Sequence, residues 1–150
     1  MNSEQRQEAI FGAFDGVVSI IGFVFALLLH GSPVAAIAVG GFGGAIASGV
    51  SMGAGEFTKS EAPLHRRLPL AAIMLIATLI GSLVPVWPFF IFGRNGAIVA
   101  SAIGCMAIAT WIGYEKRKGA TGYLTAYATL TASATLTLGI IALIPQSAGG

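Results

Sequence analysis

Five apolar runs follow one another along the chain, and each is long enough to cross a bilayer. They extend from about Ala9 to Leu29, Pro33 to Gly55, Leu70 to Gly93, Asn95 to Tyr114 and Ala120 to Pro145. Asp15 is the only charge inside any of them. A membrane-crossing helix needs roughly 20 mostly apolar residues. The bilayer core offers no water to exposed backbone, so each run must close its own hydrogen bonds as a helix. The expected fold is therefore all-α: residues 1–150 form a single polytopic domain of five transmembrane helices. Composition agrees, because only 9% of residues are charged, against about 25% in soluble domains. So few charges cannot coat a core. One cysteine, Cys105, excludes a disulfide scaffold. A net charge of +2, dispersed along the chain, excludes a nucleic-acid surface.

The segments between the runs are short. His30-Gly31-Ser32-Pro33 reads as a tight turn, with Pro33 at a tolerated first helical position. Glu61 to Pro69 and Glu115 to Thr121 read as polar loops, and Arg94-Asn95-Gly96 as a sharp break. Five spans place the N-terminus and the second and fourth loops on one side. That side holds Arg6, Lys59, Arg66, Arg67, Lys116, Arg117 and Lys118, and the other holds only Arg94. Basic loops stay cytoplasmic, so the N-terminus is expected inside and the C-terminus outside. A signal peptide fits the first run poorly: Glu4 and Glu8 outnumber Arg6 ahead of it, and Asp15 interrupts it.

The fifth run has a second possible period. Thr131, Ser133, Thr135 and Thr137 alternate as in a strand. Thr121, Thr125, Thr129, Ser133 and Thr137 also recur every fourth residue, as on one helix face. A lone strand in lipid would leave its backbone unpaired, so a helix is expected.

Asp15 is the residue that most needs a reason. A carboxylate this deep in a span costs about 2.5–3.5 kcal/mol on insertion scales. Intramembrane acids usually face a bundle interior or a watered path. The plainer alternative is a structural carboxylate bonded to a neighbouring helix. If the first two runs fold back at Gly31-Ser32, Asp15 lies level with Ser48, and Glu8 level with Gly55 and Glu56. Glu4, Glu8 and Asp15 share one face by their spacing, as do Ser48, Met52 and Glu56. Should those faces meet, they make an outer layer of Glu8 and Glu56 and an inner layer of Asp15, Met52 and Ser48. Carboxylates suit hard divalent cations, and a thioether shifts the preference toward transition metals. Fe²⁺ and Mn²⁺ lie between. Met52 as a mere gap-filler is the alternative, and Glu56 could simply snorkel to water.

Small residues explain how acids could be held at fixed depth. Gly40, Gly44 and Ser48 form one ridge of the second run, and Gly41, Ala45, Gly49 and Gly53 another. Gly12 and Gly16 flank Asp15 at the same spacing. Such spacing lets helix backbones approach closely. Ala97, Ser101, Cys105, Ala109 and Gly113 repeat it in the fourth run, where Cys105 is expected to pack rather than ligate. Pro85 and Pro88 should end or kink the third run. Trp87 and Trp111 suit interfacial anchors, and His65 beside Arg66 and Arg67 suits a solvated or headgroup site. No nucleophile–base pair, phosphate loop or zinc spacing is present, so a transporter is expected rather than an enzyme.

Ile10-Phe11-Gly12-Ala13-Phe14-Asp15-Gly16 resembles the first-span motif of the vacuolar iron transporter family. Ser51-Met52-Gly53-Ala54-Gly55-Glu56-Phe57 resembles its second-span motif, in the same order and at similar separation. The resemblance covers roughly residues 4–61 and is topological beyond. It implies export of Fe²⁺, Mn²⁺ or related divalent ions from the cytosol, in exchange for protons, by a homodimer with its path beside the first spans. It implies that Asp15 and Met52 are ligands within the membrane, that Glu4 and Glu8 line the cytoplasmic entrance, and that Glu56 is the motif glutamate. Metal is then cargo, with no permanently bound cofactor. Many members carry a glutamate-rich metal-binding insertion between spans two and three. Here Lys59 to Leu68 takes its place, with Glu61 its one acid. The short loops favour a bacterial inner membrane as the host. Two other readings make separate predictions. A non-transporting membrane scaffold would use its acids only for helix contacts. A small proton-coupled exporter of organic cations would use Asp15 and ignore Met52.

Overall fold

A computed structural model describes residues 2–59, 61, 63–115 and 120–143. Among them the chain is helical, in the order α1 (Ser3–Leu29), α2 (Val34–Lys59), α3 (Leu64–Leu83), α4 (Pro88–Ile91), α5 (Arg94–Glu115) and α6 (Ala120–Ala142). All but α4 are long and apolar enough to cross a membrane. The fold is the all-helical, five-span one expected. The tail from Gln146 and the basic residues Lys116, Arg117 and Lys118 lie outside the described residues.

Helix ends follow local chemistry. Asn2 caps α1: its side chain accepts from the Gln5 backbone at 2.8 Å while the Gln5 side chain accepts from the Asn2 backbone at 3.0 Å. That cap starts α1 at Ser3, six residues before the apolar run begins, so Glu4 and Glu8 are helical. At the other end Gly31 takes φ +69°, the left-handed turn that glycine tolerates. Arg94 donates to the carbonyls of Leu28, at 2.6 Å, and Ser32, at 3.1 Å. The cation at the start of α5 thus closes the carbonyl end of α1 and pins the α1–α2 turn.

The third span departs from expectation at both ends. It was expected over Leu70 to Gly93, and its helix runs from Leu64 to Leu83. At the start Pro69 lies inside the helix, in a turn exposed enough for the carbonyl it leaves unbonded to reach solvent. The segment expected as a loop is therefore mostly helix. At the finish the chain turns through residues 84–87 and makes the single turn of α4, led by Pro88. Proline at 85 and 88 forbids the continuous hydrogen bonding that a longer span would need. The turn is not loose: Val86 and Phe89 are buried with Ile20, Val24, Ile37, Ala38 and Ala97.

α3 packs along both α1 and α2. The first two helices meet each other chiefly toward their shared turn, where Gly40 faces Phe23 and Leu27 and Gly44 faces Ile20. Farther along, Gly49 and Gly53 of α2 face Leu75, Leu79 and Ala71 of α3. Gly12 and Gly16 of α1 face Met74, Thr78 and Ser82 of α3. The glycines flanking Asp15 thus admit the third helix, and α2 is not their neighbour. In α5 the small ridge is the buried one: Ala97, Ser101, Cys105, Ala109 and Gly113 all face inward. Ser101 donates to the Pro85 carbonyl at 2.8 Å, and Cys105 and Ala109 pack with Val17 and Leu130. α6 is a helix, and Thr125, Thr129, Thr131 and Thr135 each return a hydroxyl bond to the carbonyl four residues back. Large apolar side chains such as Val39, Ile46, Val50, Ile103, Leu124 and Leu136 point outward, as a bilayer requires.

Candidate functional site

The α1–α2 turn holds the two helices together at one end, and α3 intervenes toward the other. A cavity of about 460 Å³ opens there, lined by Gln7, Glu8 and Phe11 of α1, by Met52, Gly55, Glu56 and Lys59 of α2, and by Met74 of α3. Helical spacing explains the lining. Glu8 and Phe11 stand on one face of α1, and Met52, Glu56 and Lys59 on one face of α2. Glu56 is 7% exposed, a carboxylate buried at the helix–helix junction. Lys59 reaches over it, with its ammonium 3.0 Å from Glu56 Oε2 and 3.9 Å from Glu8 Oε1. Glu8 and Glu56 therefore share one cation across the gap between α1 and α2.

Two sulfurs complete this mouth. Met52 is half-buried at the cavity and Met74 is buried. Met74 lies against Gly12, whose missing side chain makes room for it. Carboxylates with thioethers make a donor set of intermediate softness, better matched to Fe²⁺ or Mn²⁺ than to Mg²⁺ or Ca²⁺. Among the described residues no three His, Cys, Asp or Glu side chains cluster closely enough to hold a metal by themselves. One chain thus brings two carboxylates and two thioether sulfurs to the mouth.

Asp15 stands apart. It is half-buried two turns deeper along α1 than Glu8, about 10 Å by helix rise, with the Ser19 hydroxyl one turn on as its polar neighbour. It lines neither this cavity nor the larger one of about 510 Å³ beyond Arg6, Phe14, Ile112 and Glu115. Its face of α1 is open, with Phe11 56% and Phe23 40% exposed. Ser48 is half-buried on α2 and is not in the cavity lining, and Glu4 is exposed. The structure thus brings Glu8, Glu56 and Met52 together and leaves Asp15, Ser48 and Glu4 outside that group. The inner layer of Asp15, Met52 and Ser48 does not form in one chain, because Met52 opens toward Glu8 and α3 separates the helices below.

The sequence model of the VIT family matches residues 6–67. Over that stretch the chain is similar to the VIT family. The match contains both motifs, from Ile10 to Gly16 and from Ser51 to Phe57, and it crosses the connection between α2 and α3. No curated protein and no solved structure matches the chain.

The VIT match points to metal-ion transport by an integral membrane protein. Of the cavity lining, Phe11, Met52, Gly55 and Glu56 fall in the two motifs, and Met74 comes from α3. Gln7, Lys59 and Met74 line the cavity and were not singled out as site residues in the sequence. Met74 lies beyond the match, in a run of apolar residues where a methionine carries no signal. Lys59, three residues past Glu56, reads as one more basic residue until the fold sets its ammonium between Glu56 and Glu8.

Proposed function

We propose that the chain exports Fe²⁺ or Mn²⁺ from the cytosol in exchange for protons, as a homodimer. The observation that carries this reading is the descent of acids along one face of α1. Glu4 is exposed at the start of the helix, Glu8 meets Glu56 at the mouth, and Asp15 lies two turns deeper. A cation could pass from the mouth, past Met52 and Met74, to Asp15. Carboxylates alternate between metal and proton, so the same groups can serve both ions. The cytoplasmic placement of the mouth is supported by the basic residues gathered at that end of the spans. The VIT-family stretch supports the metal cargo.

The dimer supplies what one chain leaves open. An acid within the membrane is costly on a lipid-facing surface. Asp15 stands on the open face of α1, between the exposed Phe11 and Phe23. A second copy laid against this face would cover Asp15 and double the carboxylates available. A bacterial inner membrane fits the short connections.

The test is flux in proteoliposomes loaded with a metal-sensitive dye and then with a pH dye. Saturable Fe²⁺ or Mn²⁺ uptake with opposing proton movement is expected, and Asp15→Asn should abolish it while the protein remains folded and dimeric. Undiminished transport by Asp15→Asn would sink the mechanism. No uptake by folded wild-type protein would favour the scaffold reading.

A further inference from the structure

We propose that Lys59 is a built-in competitor for the cation at the mouth: its ammonium bridges Glu8 and Glu56, and a divalent ion binds there by displacing it. This rests on the reading of the mouth as a metal entrance, and it concerns binding rather than flux. Glu56 is 7% exposed and accepts from Lys59 at 3.0 Å, while Glu8 lies 3.9 Å from the same ammonium. A buried carboxylate without a counter-charge is strongly disfavoured. Lys59 supplies one counter-charge against two carboxylates, so the lysine-bound mouth keeps a net charge of −1. A dication would neutralise both.

The geometry makes the exchange easy. Lys59 is in the last turn of α2, and its side chain is 68% exposed. A flexible stem can swing the ammonium into water without moving either helix. The lysine is also three residues from Glu56 on the same helix, so its local concentration is on the order of millimolar or higher. It therefore sets a threshold: the mouth stays closed to weak or scarce cations and loads when a dication outcompetes the tethered amine. Met52 and Met74 line the same cavity. Ions that accept thioether donors gain there what the lysine cannot, so the competitor also sharpens the preference for transition metals.

The test is a Mn²⁺ titration of the purified detergent-solubilised protein, with free Mn²⁺ read by its electron paramagnetic resonance signal. Lys59→Gln should bind about tenfold more tightly than wild type, the factor expected from removing one charge-assisted hydrogen bond to the competitor. Lys59→Arg should bind no more tightly than wild type, and adding Glu8→Gln and Glu56→Gln to Lys59→Gln should abolish the gain. A second readout uses the unaltered protein: Mn²⁺ should raise the acetylation rate of Lys59 relative to Lys116 and Lys118, measured by mass spectrometry. Equal or weaker binding by Lys59→Gln, or Lys59 acetylation unchanged by Mn²⁺, would overturn the proposal. Tighter binding without flux would keep the competitor and remove the exporter. Flux lost in Asp15→Asn with Lys59→Gln binding unchanged would do the reverse.

Discussion

Gly81 of α3 stands so close to the Ala13 carbonyl of α1 that a methyl group at residue 81 would fall on that backbone. Gly16 makes the mirror contact, its missing Cβ falling on the Thr78 carbonyl and beside Ser82. The two helices cross backbone to backbone, one residue from Asp15. Thr78 and Ser82 are fully buried in this crossing, and among the described residues their hydroxyls have no hydrogen-bond partner. The contact fixes the depth and rotation of Asp15 through α1.

Gly81→Ala and Gly16→Ala should each lower stability in detergent by about 1–3 kcal/mol, because backbone cannot yield as a side chain can. Gly43→Ala and Gly55→Ala, with open space around them, should leave the folded monomer unchanged. Thermal unfolding followed by circular dichroism compares the four. Equal effects at all of them would show that the crossing is looser than described.

Arg94 holds two carbonyls at the α1–α2 turn. Arg94→Ala should destabilise by about 1–3 kcal/mol, the usual worth of hydrogen bonds from a charged donor. Arg94→Lys should recover only part, since one ammonium does not reproduce the guanidinium fork. A chemical-denaturation series in one detergent measures both. Full recovery by lysine would mean that charge alone is needed.

Met74→Leu nearly preserves volume, so the fold should survive. Loss of its sulfur should raise the half-saturation for Fe²⁺ uptake a few-fold, and Mn²⁺, the harder ion, should suffer less. Met52→Leu should act in the same direction. The comparison is uptake kinetics for the two ions in each variant. An unchanged Fe²⁺ half-saturation in both would reduce the methionines to packing.

Arg6 and Glu115 form an ion pair between the start of α1 and the end of α5. The Arg6 side chain is 46% exposed, so the pair should contribute no more than about 1 kcal/mol. A double-mutant cycle with Arg6→Gln and Glu115→Gln should give a coupling in that range that shrinks in high salt. A larger, salt-insensitive coupling would point to a structural clamp at this end.

Chain composition and spacing were enough to read five spans, the helical state of the threonine-rich last span, and the glycine and alanine ridges as packing surfaces. These are local properties: charge-free length and residue period dictate them whatever the neighbours. The Asp15 and Met52–Glu56 motifs were legible for the same reason, because intramembrane carboxylates are rare and costly. The extent of α3 was not, since Pro69 is tolerated in an exposed turn and prolines 85 and 88 stop a helix that apolarity alone would continue.

What tertiary structure decided is which helix each face meets. A hairpin drawn from numbering sets Asp15 beside Ser48. The glycines around Asp15 and those of α2 can equally accept a third helix, and close packing favours α3 there because it buries both glycine surfaces at once. That choice parts α1 from α2 below their turn, opens the cavity around Glu8 and Glu56, brings Met74 to its lining, and leaves Asp15 on an open face. It also carries Lys59 to both mouth carboxylates. Period and composition name the faces of a helix, and only the competition among those faces for close contact assigns their partners.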